Sequence, residues 1–515
     1  MTDGELTLAG GALLSAGLAA SLLASSFRVP ALVLLLGAGL LIGSDGTGWI
    51  DFADYELART IGVIALALIL FEGGLASGWG EIGPVVRPAV LLAFLGTIGT
   101  AVMTGLVAAW LFDFSTLEGL LLGSVLAATD AAAVFSVLRT STLRRRLART
   151  LEGESGMNDP VAVLLVLGFI QWIENPGFGL AEMAWLFVED LTIGLAVGLA
   201  VGFAGAALLR RSHLASGGLY PVGTLAIAAV AFGGSDVLDG SGFLAVYLAG
   251  LVLGSVQLPA RRTVAGFHEG LSWVAQLAMF FTLGLLVFPS DLGNVAFEAT
   301  ILAIVAVAIA RPLATFAATA FEHFTAGERL ILGWVGMRGA VPMVLATFPV
   351  IEGVPGSTEF FNIAFFAVVL STLVQGATIE PLSRKLRMTT TSPALPRPLG
   401  ESATVHAMGA EIVEFPVVRG DAIVGMHVRD LGLPRDALVN VIVRGGRAIP
   451  PRGSTRVSAG DVLHMMVIQA SSKDLYPLMD RWRKGPMRAE IARDEEVWMT
   501  MPVYRARRRD DDDDA

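Results

Sequence analysis

The chain contains no cysteine. Disulfides, thiolate metal sites and cysteine nucleophiles are therefore excluded. Charge is scarce as well: 16% of the 515 residues are Asp, Glu, Lys or Arg, against about 25% in soluble domains. With 54% hydrophobic residues and a mean hydropathy of +0.67, this composition implies a polytopic membrane protein. The net charge of −10 says little about partners, because the charges gather in short patches between apolar runs and in the last quarter of the chain. The start, Met1-Thr2-Asp3-Gly4-Glu5, lacks the basic region of a cleaved signal peptide, so the first apolar run is expected to be a retained helix. No HExxH motif occurs, and no histidine stands near Ser155, which argues against an intramembrane hydrolase. Asp130 and Asp159 also lack the Gly-Asp setting of an intramembrane aspartyl protease. No TVGYG-like run is present to build the carbonyl filter of a potassium channel. Neither an enzymatic cofactor nor a nucleic-acid partner is expected.

What is present is a series of apolar runs. A spanning helix needs about 20 apolar residues. That ruler gives thirteen expected spans, at 6–26, 29–43, 57–75, 85–112, 117–138, 154–173, 184–210, 219–235, 240–258, 267–288, 294–321, 327–350 and 357–381. Arginine and lysine follow the odd spans: Arg139, Arg144, Arg145, Arg146 and Arg149, then Arg210 and Arg211, Arg261 and Arg262, and Arg384, Lys385 and Arg387. Acidic residues follow the even ones, including Asp45, Asp51, Asp54, Glu56, Glu174, Glu182, Asp236, Asp239 and Asp291. The loop after span eleven is balanced. By the positive-inside rule the N-terminus lies outside and the C-terminus in the cytoplasm of a bacterial cytoplasmic membrane. Gly73-Gly74, Gly194 with Gly198 and Gly202, and Gly250 with Gly254 have the small-residue spacing that lets helices approach closely.

Composition changes after Arg387. The expected organisation is a transmembrane domain over 1–387, a linker over 388–402, a small cytosolic α/β domain over 403–470, and a C-terminal extension over 471–515 ending in a disordered acidic tail. Strands are predicted at 412–418, 438–443 and 461–467.

Polar groups inside the apolar runs carry the chemistry. A carboxylate at bilayer depth costs about 2.5–3.5 kcal/mol even on the gentlest scale, and so marks a functional site. Glu154-Ser155-Gly156-Met157-Asn158-Asp159-Pro160 opens span six, and Thr129-Asp130 interrupts span five. On a helix beginning near Glu154, Ser155 and Asp159 share a face and can bind one ion together, with Glu154 and Asn158 as a neighbouring pair. Carboxylate, hydroxyl and carbonyl oxygens are the hard ligands that a dehydrated alkali cation needs. The two interrupted helices are expected to cross and satisfy each other's freed backbone groups, with Asp130 against a half-helix N-terminus and Thr129 facing the ion. Glu72 lies near the end of span three, either as a ligand or facing water. Arg338 lies within span twelve and needs a carboxylate, for which Glu154 is the candidate. Asp130 and Asp159 can also be read as structural caps. Arg311-Pro312 reads as a buried structural or interface pair, and His213, His268 and His323, near loops, as solvated residues or as pH sensors. One carboxylate, Asp159, taking either a proton or a cation gives competition for one site. With Asn rather than Asp at 158, the simplest stoichiometry is one proton for one cation, hence electroneutral exchange.

Phe71-Glu72-Gly73-Gly74-Leu75, Ala128-Thr129-Asp130, Gly153 to Pro160 and Gly336-Met337-Arg338-Gly339-Ala340 together resemble the signature of the NhaP-type branch of cation–proton antiporters, which also includes the animal sodium/proton exchangers. The resemblance covers about residues 1–385. It implies a homodimer, thirteen helices with inverted repeats and crossed broken helices, and a core domain moving against a dimerisation domain. It further implies that Asp159 binds the ion and proton, that Glu72, Thr129, Asp130 and Ser155 contribute directly or through water, and that Asn158, Glu154 and Arg338 organise the site. Ala131 departs from the pattern, since many relatives carry Pro there. Gly425 to Leu431, Leu433-Pro434, Val441 to Arg444, Pro450-Pro451 and Gly460 to Leu463 are similar to the C-terminal domain of potassium-channel and Trk regulators (the RCK-C or TrkA-C type). That appendage implies exchange of K⁺ as well as, or in preference to, Na⁺, with a Na⁺-selective antiporter as the alternative. It also implies a regulatory nucleotide or other small-molecule regulator, which no residue identifies.

Overall fold

A computed structural model describes residues 14–20, 31–130, 143–389 and 410–485, except 213, 215, 257, 445, 446 and 469–471, together with Val134 and isolated positions between 4 and 11. The chain divides into two compact units, Met1–Pro398 and Leu399–Ala515.

The first unit is helical. Among the described residues, after a helical stretch at 14–20, its helices are α1 (Ala31–Ile42), α2 (Tyr55–Ser77), α3 (Trp79–Leu111), α4 (Thr116–Ala127), α5 (Arg145–Glu174), α6 (Leu180–Arg211) and α7 (Leu219–Asp236). They continue as α8 (Gly242–Ser255), α9 (Arg261–Leu285), α10 (Pro289–Ala318), α11 (Ala326–Trp334), α12 (Ala340–Ile351) and α13 (Ser357–Lys385). Among the described residues, α2, α3, α5, α6, α10 and α13 are long and apolar enough to cross a membrane. About half of the first expected span and, Val134 apart, the last third of the fifth lie outside the described residues. Short polar side chains start several helices. The Asp54 carboxylate accepts from Leu57 N–H at 2.9 Å, and Ser115 with Glu118 and Thr325 with Glu328 form capping boxes.

One succession occurs twice. A long helix with a π-turn (α3, with the turn at Leu92–Gly96) precedes a helix that breaks after Ala127, then the long α5. Likewise α10, with a π-turn at Ala306–Ala310, precedes the broken pair α11 and α12, then the long α13. The second π-turn places Arg311 and Pro312 directly after it. Single π-turns of this kind favour functional sites.

The glycine pairs seen in the sequence are contact points. A Cβ on Gly198 would stand 2.7 Å from the Ala245 backbone, and one on Gly202 3.1 Å from Ala249, so α6 lies against α8. Gly74 meets the backbone of Tyr247 and Gly250, and Gly254 meets that of Leu75, so α2 and α8 touch backbone to backbone. Without a hydrophobic drive between helices in lipid, such close packing supplies the association energy.

The second unit is a four-stranded antiparallel sheet in the order β1 (Ala410–Pro416), β4 (Val462–Ile468), β2 (Ala437–Arg444), β3 (Arg447–Ile449), with a helix α14 (Ser472–Lys484). Three strands match the sequence expectation to within two residues; β3 was not expected. The helix also alters the expected boundary at 470. Leu475, Leu478 and Trp482 enter the same core as Phe415, Ile442 and Leu463, so the compact unit runs beyond it. Trp482 Nε1 donates to Leu431 O at 2.8 Å.

Asp461, 1% exposed, anchors this unit. Arg444 grips it with two bonds of 2.7 and 2.8 Å, and the Ser458 amide donates at 2.7 Å. Burial pushes the Asp461 carboxyl up, but the Arg444 and Ser458 hydrogen bonds and the Arg444 charge outweigh it and hold it below the usual range. A depressed carboxyl stabilises the fold above its unfolded-state pKa of about 3.9, and that contribution is lost as pH falls through the folded-state value. Asp461→Asn should therefore destabilise this unit by about 1–2 kcal/mol at pH 7, the half-exposed Arg444 keeping the figure low. Hydrogen exchange of the β2 amides in the full chain should show faster exchange at pH 7, with the gap from wild type narrowing toward pH 3.

Candidate ion-binding site

The site forms where two helix breaks meet. Helix α4 ends at Ala127, and Ala128, Thr129 and Asp130 leave the helical path. Helix α11 ends at Trp334, and the chain is non-helical through Gly339 before α12. Each break satisfies the other. Asp130 N–H donates to Met337 O at 2.9 Å, and Arg338 Nη1 donates to Ala128 O at 2.8 Å. Ala340 N–H donates to Asp130 Oδ2 at 2.9 Å. The charges suit the helix dipoles, with an arginine at the C-terminal end of α4 and an aspartate at the N-terminal end of α12.

This geometry alters two expectations. Asp130 does lie at a half-helix N-terminus, but the second broken helix is span twelve, not the Glu154 segment. Helix α5 begins at Arg145, nine residues before Glu154, and carries 154–159 in its interior without interruption. An apolar window misses the arginine-rich first turns, because their side chains are charged although their backbone is helical. The second correction concerns Glu154. Its Oε1 pairs with Arg311 Nη2, both side chains being 1% exposed, and not with Arg338. Arg338 Nη1 points instead to the α4 carbonyl end, and sequence spacing carries no information on which arginine the fold brings to Glu154.

The break in span twelve is held by α13. Arg338 N–H donates to Ser371 Oγ at 2.8 Å, Thr372 Oγ1 donates to Arg338 O at 2.8 Å, and Gln375 Nε2 donates to Trp334 O at 2.6 Å. Sequence reasoning missed these residues. The available signal was a polar cluster at i, i+1 and i+4 within span thirteen. Gly339 is required for another reason: a Cβ there would overlap the Asp130 carboxylate. Gly339→Ala should cost at least about 3 kcal/mol, because it either displaces Asp130 from the α12 amide or parts the two breaks. Loss of the monodisperse species in detergent on mild heating would register it.

Asp159 is fully buried on α5, and neither of its carboxylate oxygens has a hydrogen-bond donor among the described residues. Beside it Asn158 Nδ2 donates to Thr129 Oγ1 across the α4 break, leaving Asn158 Oδ1 without a donor. Ser155, 2% exposed, lies one turn from Asp159 on the same face. Pro160 lacks an N–H, so the Gly156 carbonyl has no i+4 amide to bond. Acceptor oxygens without donors (both of Asp159 and that of Asn158) thus stand on adjacent residues of α5, beside the α4 break that Asn158 reaches at Thr129, with Ser155 and the Gly156 carbonyl one turn away, a set suited to a hard cation or a proton. Glu72 is buried on α2, in the stretch packed against α8, and makes no hydrogen bond to Asp159. His268 is not solvated: α9 starts at Arg261, so it stands two turns inside, 1% exposed, 2.8 Å from Thr224 Oγ1 and against Phe71. His323 is exposed as expected, and His213 lies outside the described residues.

A further charged network lines the start of α5. Ser77 Oγ donates to Glu152 Oε1, Arg149 Nη1 to Glu152 Oε2, and Arg149 Nε pairs with Glu81 at 2.9 Å.

The comparisons with known proteins agree with this architecture. Residues 12–385 match the model of the sodium/hydrogen exchanger transmembrane family, and residues 412–480 that of the TrkA-C domain. The chain is 36% identical over 489 residues to a K⁺/H⁺ antiporter NhaP2 of Shewanella baltica, covering 94% of this chain and 84% of the relative. It is 35% identical to a K⁺/H⁺ antiporter NhaP of Alkalimonas amylolytica, over 90% and 81% of the two chains. A Na⁺/H⁺ antiporter NhaH of Halobacillus dabanensis is 25% identical over 71% of this chain and 94% of its own. The fold matches that of the sodium proton antiporter MjNhaP1 from Methanocaldococcus jannaschii with a TM-score of 0.64, at 23% identity, over 74% of this chain and 99% of that one. Two broken helices around a buried carboxylate, in a multi-pass chain whose relatives are transporters and not enzymes, lead to one assignment: the chain belongs to the sodium/hydrogen exchanger family of monovalent cation/proton antiporters and carries a TrkA-C domain.

Proposed function

We propose that the chain exchanges K⁺ for H⁺ at Asp159, electroneutrally and by alternating access. The observation that carries this reading is the buried Asp159 carboxylate with no protein donor among the described residues, set among acceptor oxygens at the crossing of two helix breaks. A proton and a cation each neutralise it, and a low-dielectric site does not hold both or neither. Ser155 and Thr129 supply further oxygens. Asp130 fixes the α12 end, Asn158 ties α5 to the α4 break, and Glu154 with Arg311, and Arg338 separately, hold the surrounding helices. Glu72 contributes to the site from α2, through water.

The preference for K⁺ is supported by the relatives named K⁺/H⁺ antiporters, which align along both domains at 35–36% identity, while the Na⁺/H⁺ relative aligns over a smaller part at 25%. The same reading places the protein as a homodimer in the bacterial cytoplasmic membrane, N-terminus outside and C-terminus in the cytoplasm. The TrkA-C domain regulates exchange through a small ligand, with a nucleotide as the expected class.

Proteoliposomes loaded with a pH-sensitive dye test this. Adding K⁺ should dissipate an imposed proton gradient more effectively than Na⁺ or Li⁺, and choline should do nothing. Competition for one carboxylate predicts that, below the site's pKa where the protonated form dominates, the half-saturating K⁺ concentration rises by about tenfold for each unit by which pH falls. A half-saturating concentration independent of pH, or a transport current that follows voltage, would remove the one-for-one scheme.

A further inference from the structure

Helical spacing sets Glu152, Ser155 and Asp159 along one face of α5, at i, i+3 and i+7. Gly156 lies beside Ser155, between the two carboxylates. Its lack of a side chain admits Tyr247 from α8: a Cβ at 156 would stand 2.6 Å from the ring carbon that bears the hydroxyl. Tyr247 is 1% exposed, and its phenol oxygen has no hydrogen-bond partner among the described residues. An orphaned buried hydroxyl costs about 1–3 kcal/mol, so phenylalanine would fill the same space at lower cost. Toward the arginine-rich start of α5 stands Glu152, 4% exposed, bonded to Ser77 of α2 and to Arg149. Glu152 precedes Gly156 by one turn of α5, which sets this acid next to the glycine that the Tyr247 ring covers. The tyrosine therefore separates an acid already engaged by the protein from one, Asp159, that is not.

We propose that Tyr247 is the barrier between Asp159 and the arginine-rich end of α5, and that its hydroxyl, with Glu152, lines the cation's path along this face. The ring blocks passage while it rests on Gly156. Helices α2 and α8 touch backbone to backbone at Gly74, Gly250 and Gly254, so they move as one block. Displacement of that block from α5 parts Ser77 from Glu152 and Tyr247 from Gly156 together. Glu152 then becomes an acid that a cation meets two helical turns before Asp159. This inference rests on the reading of Asp159 as the exchange site.

The absence of native cysteine allows a direct test with a single-cysteine Ser155→Cys protein in membrane vesicles of each orientation. A membrane-impermeant methanethiosulfonate reagent should label the introduced thiol slowly from the Arg145 side. Tyr247→Ala should raise that rate by about tenfold, the gain expected when a state populated at about 10% becomes dominant. Tyr247→Phe should leave it nearly unchanged, because the ring remains. Tyr247→Leu gives an intermediate gain and serves if the alanine variant does not fold. In the cysteine-free protein, Tyr247→Phe should raise the half-saturating K⁺ concentration severalfold at little change in maximal rate. Fast labelling of the parent from the Arg145 side, no gain with alanine or leucine, or an equal gain from both sides would overturn the barrier; an unchanged half-saturation in the phenylalanine variant would overturn the role of the hydroxyl. Labelling requires no transport, so these outcomes are separate from a failure of Asp159 to support exchange.

Discussion

Replacing Asp159 by asparagine is expected to reduce cation-dependent proton exchange to the leak of protein-free liposomes, a fall of at least about two orders of magnitude. The fold should survive. Asp159 makes no hydrogen bond among the described residues that the change would remove, and asparagine occupies the same volume without a charge to bury. This separates a functional carboxylate from a structural cap. Asp130 is the contrasting case, since its carboxylate accepts from the α12 amide Ala340 N–H at 2.9 Å. Asp130→Asn should lower thermal stability, because a neutral acceptor at a helix N-terminus is weaker than a charged one. Dye dequenching and thermal stability in detergent, measured on the same preparations, give both readouts. An Asp159→Asn protein that still exchanges at the wild-type rate would end the proposed mechanism, whatever its stability.

The second large effect concerns the Glu154–Arg311 pair. Both side chains are 1% exposed, and removing one partner of such a pair costs about 3–5 kcal/mol because the other charge stays buried. Arg311→Met should accordingly be strongly destabilised, and Glu154→Gln/Arg311→Met should recover most of the loss. Arg338 Nη1 donates to Ala128 O instead, and among the described residues Arg338 forms no ion pair with Glu154. A double-mutant cycle in SDS-induced unfolding should give about 2–3 kcal/mol of coupling between Glu154 and Arg311, and less than about 1 kcal/mol between Glu154 and Arg338. The reverse order would restore the pairing that sequence spacing suggested.

Much of this protein is legible without coordinates, and the reasons are local. Apolar runs of spanning length mark helices whatever their neighbours, because a helix is the structure in which one segment satisfies its own backbone polar groups in lipid. Asp130 and Asp159 stand out because a carboxylate in such a run is costly and so conspicuous. The strands of the C-terminal unit follow from alternation and turn residues. What was misread depended on distance between segments. The Glu154 segment looked like the mouth of a helix because hydropathy ends there, while the helical backbone continues through Arg145. Span twelve looked continuous because Gly336 to Gly339 carries no proline. Its break is stabilised by α13 side chains at 371, 372 and 375 and by Asp130, about 210 residues upstream.

Sequence alone determined the membrane character, the acidic residues within apolar runs, the family signature and the appended α/β unit, since each is a property of composition or of residues near one another in the chain. Tertiary structure decided which breaks cross, which arginine meets Glu154, and that Tyr247 rests on Gly156. Those depend on which helix ends and side chains are brought to one place, and a buried charge or freed amide accepts any suitable partner that packing delivers.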